Sequence, residues 1–313
     1  MTVTTTSAEP AVDRYRHAEQ RLWSHYGLEP REHLVELSSP AVRLRVVEVG
    51  SGPPVLFVPG SAGTGPYWGP LVRALSGRRC LMLDRPGWGL STPLDYTSIE
   101  YGAGVADLLR AVLDALEIDR ADVVGASIGD VWALRLASRH PGRVGRVVLL
   151  GGGPIVAESG VPGIIRLIAS PIGALMVRLP PKPSRVKAFM GRAGHGPSLD
   201  AGRIPEEYIR WRVAFERETD SMRNERAMVR AIVSWRTGPR TGLAFDDAEL
   251  AAIQRPTLLV YGTADPVGTV HIWRRVADLL PRGELQLVDG AGHMPWLDHP
   301  SAVADHINRF LAT

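Results

Sequence analysis

The sequence predicts an α/β fold with a largely parallel sheet, and three observations carry that prediction. Short, unbroken apolar runs alternate with stretches of helical spacing, the pattern of parallel strands covered on both faces by helices. The runs stop at loops rich in glycine or opened by an acid, such as Pro59-Gly60-Ser61-Ala62-Gly63 and Asp84-Arg85-Pro86-Gly87. One run, Val123-Val124-Gly125-Ala126, passes at Ser127 straight into the helical spacing of residues 128–137. A strand that becomes a helix at one residue forces that residue into a strained backbone, and Gly125 and Gly129 leave the room it needs.

Taken in order, residues up to about Pro10 are small, polar and aperiodic, and read as disordered. Val12, Tyr15, Ala18, Leu22, Trp23 and Tyr26 fall near one helical face, with Gly27 placed to close the helix. Residues 33–37 and 42–49 alternate like antiparallel strands about a turn at Ser38-Ser39-Pro40. Val55-Leu56-Phe57-Val58 and Leu81-Met82-Leu83 read as the first buried parallel strands. Ser98 is the expected N-cap of a helix over about 99–116, which leads into the strand 122–124 and Ser127. A further strand, 144–150, ends in Gly151-Gly152-Gly153.

Between about Pro154 and Arg240 the strand pattern lapses. Prolines and amphipathic segments such as 206–218 and 224–235 predict helices there, inserted as a cap (residues 154–240) into a core of residues 1–153 and 241–313. The part from Val161 to Leu179 is strongly apolar, but Pro162, Arg166, Pro171 and Arg178 break it, and it is too short for a membrane span. Sheet logic resumes at 257–262, followed by a helix over about 269–280, a strand at 284–288 and a last helix over about 301–311.

Composition narrows the function. With 45% hydrophobic and 22% charged residues in 313, the chain is an ordinary globular protein long enough for a large core. A formal charge of +3, almost all of it arginine, is too mild and dispersed to indicate nucleic-acid binding. Cys80 is the single cysteine and sits in a strand pattern, which excludes an internal disulfide and a cysteine metal site. The first residues have neither a basic segment nor an apolar one of signal-peptide type, so a cytoplasmic location is expected.

Functional residues in an open parallel sheet gather at the carboxyl ends of its strands. Ser127, Asp265 and His293 all follow strand runs, in that order. A serine hydroxyl attacks only if a base takes its proton, and histidine titrates near the working pH. A carboxylate then fixes the tautomer of that base and stabilises the imidazolium. Asp84 follows a strand too, but precedes the serine and reads as a tie for its own loop; Asp289 and Asp298 suit surface or capping roles. His140, His195 and His299 have no comparable context. An oxyanion needs two donors, for which the N–H groups of Ile128 and Ser61 are placed, with Gly60 letting the backbone approach.

These residues resemble the α/β-hydrolase superfamily over most of the chain. The resemblance rests on Gly125-Ala126-Ser127-Ile128-Gly129, the loop from Asp84 to Ser91, Gly262-Thr263-Ala264-Asp265 and Gly290-Ala291-Gly292-His293. It implies an eight-stranded sheet, antiparallel only at its start, flanked by helices, with a helical cap after the sixth strand and a cofactor-free serine mechanism. Two positions depart from the family pattern: Pro59 stands where relatives often carry the histidine of a His-Gly pair, and Asp130 stands where many have a second glycine.

The expected activity is a capped serine hydrolase cleaving a small-to-medium, mostly apolar ester, thioester or lactone, with no cofactor and no metal. Hydrolysis of a carbon–carbon bond in a vinylogous diketone, using the same three residues, stays open. So does a ligand receptor on the same fold without turnover. Expected partners are a small-molecule substrate, no nucleic acid and no membrane insertion; the oligomeric state is left open. In the cap, Arg166, Arg178, Arg210 and Arg212 could hold a substrate carboxylate, whereas the run Ile164, Ile165, Leu167 and Ile168 suits a neutral chain, so Ile164 and Ile168, with Gly60 of the oxyanion loop, are the expected substrate contacts.

Overall fold

Eight strands form one sheet, and only the second runs against its neighbours. In the computed structural model they are β1 (Arg31–Ser38), β2 (Ala41–Val49), β3 (Pro54–Val58), β4 (Arg79–Leu83), β5 (Ala121–Ala126), β6 (Val144–Leu150), β7 (Thr257–Gly262) and β8 (Gly283–Val288). The structure describes residues 9–61, 63–153, 155–159, 163–240 and 243–312. Strand order is β1-β2-β4-β3-β5-β6-β7-β8, with β2 antiparallel to β1 and β4 and every other pair parallel. The reason lies in the sequence: β3, β5 and β7 are mostly apolar and bury nearly every residue, so both of their faces must be covered. The edge strands β1 and β8 alternate between exposed and half-buried positions instead.

Helices supply the cover. The N-terminal helix Ala11–Tyr26 buries Tyr15, Leu22 and Trp23 and ends at Gly27, whose φ of 63° is the left-handed turn that glycine adopts without a steric penalty. The helix before β5, Tyr101–Ala115, starts later than the sequence suggests. Its cap is Glu100, whose carboxylate accepts the N–H groups of Gly102 and Ala103, while the Ser98 hydroxyl is used in a turn, donating to the Asp95 carbonyl at 2.7 Å. Thr269 caps the helix Val270–Leu279, and Pro300–Ala312 closes the chain against the sheet. Cys80 lies buried in β4, and desolvation pushes its thiol up to about 12, so it is protonated at neutral pH.

Between β6 and β7 the chain leaves the sheet. Helices Gly163–Ala169, Pro171–Met176, Pro183–Met190, Glu206–Glu218 and Ser221–Ile232 follow one another there, with a π-helical turn at Gly191–His195. A two-residue hairpin, Val233–Ser234 with Gly238–Pro239, interrupts the helical character expected of this stretch. The expected boundary residue Pro154, Val161 and Pro162 of the apolar run, and the N-terminal residues 1–8 lie outside the described residues. Among the described residues no helix is long and apolar enough to cross a membrane, and no cluster of His, Cys, Asp or Glu could hold a metal ion.

Candidate active site

The loops that follow β3, β5, β6, β7 and β8 leave the same edge of the sheet, because these strands are parallel. Ser127 stands at the centre of that edge, directly after β5. Its φ of 54° and ψ of −119° lie outside the regions L-residues favour, a strain of about 1–3 kcal/mol that its neighbours must impose. They do so through backbone contacts. A Cβ on Gly129 would stand 2.1 Å from the Val58 carbonyl oxygen, and one on Gly125 would stand 2.6 Å from that of Gly129. The Ser127 N–H donates to the Leu150 carbonyl at 3.1 Å, and its own carbonyl accepts the Asp130 N–H at 2.9 Å. The half-buried hydroxyl thus sits at the N-terminus of the helix Ile128–Arg139.

Asp265 and His293 meet beside it. Both Asp265 carboxylate oxygens lie 3.0 Å from His293 Nδ1. The carboxylate is almost fully buried and accepts two backbone N–H groups, from Gly152 and Val267, each at 2.8 Å. The imidazole keeps some contact with solvent. With Nδ1 donating to a carboxylate, Nε2 is left as the acceptor. The His293 backbone is pinned as well: its N–H donates to the Ala193 carbonyl at 2.9 Å, and Gly151 packs so closely that a Cβ there would stand 2.1 Å from the His293 carbonyl oxygen. No hydrogen bond joins the Ser127 hydroxyl to His293 among the described residues. Such bonds are often long before substrate arrives.

Gly60 and Ser61 follow β3. A Cβ on Gly60 would lie 3.0 Å from that of Ser127, so the loop touches the elbow. Ile128 is the first residue of its helix, and its N–H therefore has no carbonyl within the helix to bond. The loop does without the histidine that Pro59 replaces: Arg85 Nη2 donates to the Gly60 carbonyl at 2.9 Å. That guanidinium is completely buried, stacked 4.0 Å over Trp88 and 4.0 Å from Glu225 on the helix Ser221–Ile232. Sequence reasoning saw Arg85 only as part of a loop signature; nothing in the spacing marked it as the support. Asp84, expected to tie its loop, accepts the N–H of Gly65 at 3.1 Å and pairs with Arg45 at 3.3 Å. Burial, opposed by Arg45, pushes its carboxyl up to about 7.

Asp130 lies directly beneath the elbow and is fully buried. One oxygen accepts the Leu150 N–H at 3.2 Å, and the other has no hydrogen-bond partner. Burial, and secondarily the nearby Asp265, holds its carboxyl well above the usual range. The Tyr261 hydroxyl feels that carboxyl electrostatically, but no hydrogen bond of good geometry joins the two.

The inserted segment contributes one half of a pair that the sequence did not reveal. His195 and Asp298 are both buried and 2.8 Å apart, and they brace the residues on either side of His293. Neither the surface or capping role expected of Asp298 nor the lack of context assigned to His195 holds, because the pairing depends on a contact across 103 residues. Of the expected substrate contacts, Ile168 is half-buried against the core, whereas Ile164 is exposed. Arg166, Arg178 and Arg210 are exposed, and Arg212 is buried with Nε 2.9 Å from Glu216.

Comparison with known proteins agrees with the fold. The chain is 28% identical over 298 residues to the 2-hydroxymuconate semialdehyde hydrolase of Pseudomonas sp. (strain CF600), covering 88% of this chain and 93% of that one. It is 26% identical over 284 residues to the 2-hydroxy-6-oxo-6-phenylhexa-2,4-dienoate hydrolase of Burkholderia cepacia, covering 85% and 89%. Its fold is similar to that of the naproxen esterase of Bacillus subtilis, with a TM-score of 0.68, 18% identity and coverage of 97% and 99%. The meta-cleavage product hydrolase of Pseudomonas fluorescens IP01 superposes with a TM-score of 0.71 at 22% identity, covering 90% and 97%. The family profile described as the alpha/beta hydrolase fold matches residues 53–300, a span that starts just before β3 and takes in all three loops bearing Ser127, Asp265 and His293. With its mostly parallel eight-stranded sheet and a serine at the strand-to-helix elbow, the chain belongs to the α/β-hydrolase family and is a hydrolase.

Proposed function

We propose that the protein is a serine hydrolase of neutral, mostly apolar esters that works through an acyl-enzyme. Ser127 Oγ attacks the ester carbonyl while His293 Nε2 takes its proton, and Asp265 holds the Nδ1–H so that the tautomer is correct. The N–H groups of Ile128 and Ser61 receive the oxyanion, each contributing about 2.7–4 kcal/mol in comparable sites. His293 then passes its proton to the leaving alcohol, and water attacks the acyl group by the same route in reverse. The helical insertion of residues 154–240 acts as the cap over the site, with Ile168 on the acyl side.

The observation that favours an ester is the state of the cap arginines. A dienol diketone carries a carboxylate that a free guanidinium should receive, yet Arg166, Arg178 and Arg210 are exposed and Arg212 is engaged by Glu216. Arg85 is completely buried, donates to the Gly60 carbonyl of the oxyanion loop and lies 4.0 Å from Glu225. Cleavage of a carbon–carbon bond by the same three residues is the second reading, supported by the names of the relatives at 26–28% identity. A panel of neutral aryl esters and acidic dienol diketones, each run against Ser127→Ala, tests the choice. Faster turnover of the esters supports the first reading, and a preference for the diketone overturns it.

A further inference from the structure

The inserted helices carry an unusual surface. From residue 159 to residue 199 the sequence contains no Asp or Glu, yet it contains Arg166, Arg178, Lys182, Arg185, Lys187 and Arg192. The two lysines are the only ones in the protein. Lys187 pairs with Glu206, but the five other cations are exposed and have no acidic partner within 4.0 Å among the described residues. Exposed apolar side chains crowd into the same segment. Ile172 and Leu175 are 63% and 65% exposed, and Ile164, Leu167 and Leu179 also face solvent. The helices Gly163–Ala169 and Pro171–Met176 that bear most of them pack on each other. The hairpin beside them adds exposed Trp235 with Arg236 4.7 Å over its ring. Arg226 joins this face by donating to the Ser170 carbonyl at 3.1 Å.

A patch of this make-up calls for an occupant that is both apolar and anionic. A second copy of the chain fits poorly, because a two-fold contact would set this cationic face against itself. We propose that this face of the insertion docks on the surface of a bilayer containing anionic phospholipid. Ile172, Leu175 and Trp235 enter the interface, and Arg178, Lys182 and their neighbours lie at the depth of the phosphates. The helices are too short to span, so attachment is peripheral and reversible by salt. The inference is independent of which bond the enzyme cleaves.

Co-sedimentation of the full-length protein with phosphatidylcholine vesicles, with and without phosphatidylglycerol, tests it. Binding is expected only to the anionic vesicles and should weaken by about tenfold or more when salt shortens the screening length to a few ångströms. Ile172→Asp with Leu175→Asp should abolish binding, and Arg178→Glu with Lys182→Glu should reduce it by about tenfold or more. All four positions are exposed, and hydrolysis of a water-soluble aryl ester by these variants should match the wild type. Failure to bind anionic vesicles would overturn the proposal, as would equal binding to both vesicle types. Loss of a dimer in the Asp variants without any vesicle binding would assign the face to a second copy instead.

Discussion

His195 and Asp298 form a buried pair that holds the backbone on both sides of His293. The Met294 N–H donates to His195 Nε2 at 3.2 Å, so that nitrogen carries no hydrogen and Nδ1 is the donor, 2.8 Å from Asp298. The same Asp298 oxygen accepts the Gly292 N–H at 2.8 Å. The histidine belongs to the inserted segment and the aspartate to the core, so the pair couples the placement of one to that of the other.

Removing His195 leaves a buried carboxylate uncompensated. His195→Ala is expected to destabilise the protein by about 3 kcal/mol or more in denaturant titrations, and to lower kcat because residues 292–294 lose their brace. The pH dependence has a definite sign. Burial raises the Asp298 carboxyl, but its hydrogen bond with His195, together with Ser198 and the Gly292 N–H, outweighs it and holds the group below its ordinary value. Its stabilising contribution is therefore present above the ordinary carboxylate range and is lost as pH falls through the folded value. The stability gap between wild type and variant should shrink on acidification, which melts across pH would read.

Asp265→Asn keeps the shape of the acid and reverses its hydrogen-bonding role towards His293. Turnover of a neutral ester is expected to fall by about 10,000-fold with KM little changed, since the binding surface is untouched. Steady-state kinetics check this. A comparable rise in KM with kcat unchanged would mean that Asp265 serves substrate binding instead.

Asp130 gives a prediction of opposite sign. Burial raises its carboxyl well above its ordinary value, whereas in the unfolded chain it ionises at about 3.9. Between those two values the native state binds the extra proton, so wild-type stability falls as pH rises. Asp130→Asn keeps the acceptor for the Leu150 N–H and removes that titration. Thermal melts should show the variant more stable at neutral pH, with the advantage disappearing below about pH 4.

The frame of the protein was legible in its sequence for local reasons. Short, mostly apolar runs of three to seven residues announced β3 to β7, because strands covered on both faces favour that composition. Ser127 was legible because the elbow demands Gly125 and Gly129 within five residues. Asp265 and His293 followed from strand ends. What could not be read depends on contacts between distant segments. Arg85 reaches Gly60 across 25 residues, and His195 reaches Asp298 across 103. The Glu100 cap displaced the expected Ser98 because a nearby turn engages the serine hydroxyl. Helical periodicity in the insertion gave the helices, but not which of Ile164 and Ile168 would turn inward.

The central claim is that Ser127 is the nucleophile. Rapid-quench mass spectrometry of the wild-type enzyme turning over a neutral aryl ester tests it most directly. An acyl group on the peptide containing Ser127, formed in a burst with release of the aryl alcohol and absent from Ser127→Ala together with turnover, is the predicted result. An adduct on another residue, or turnover that survives in Ser127→Ala, would contradict it.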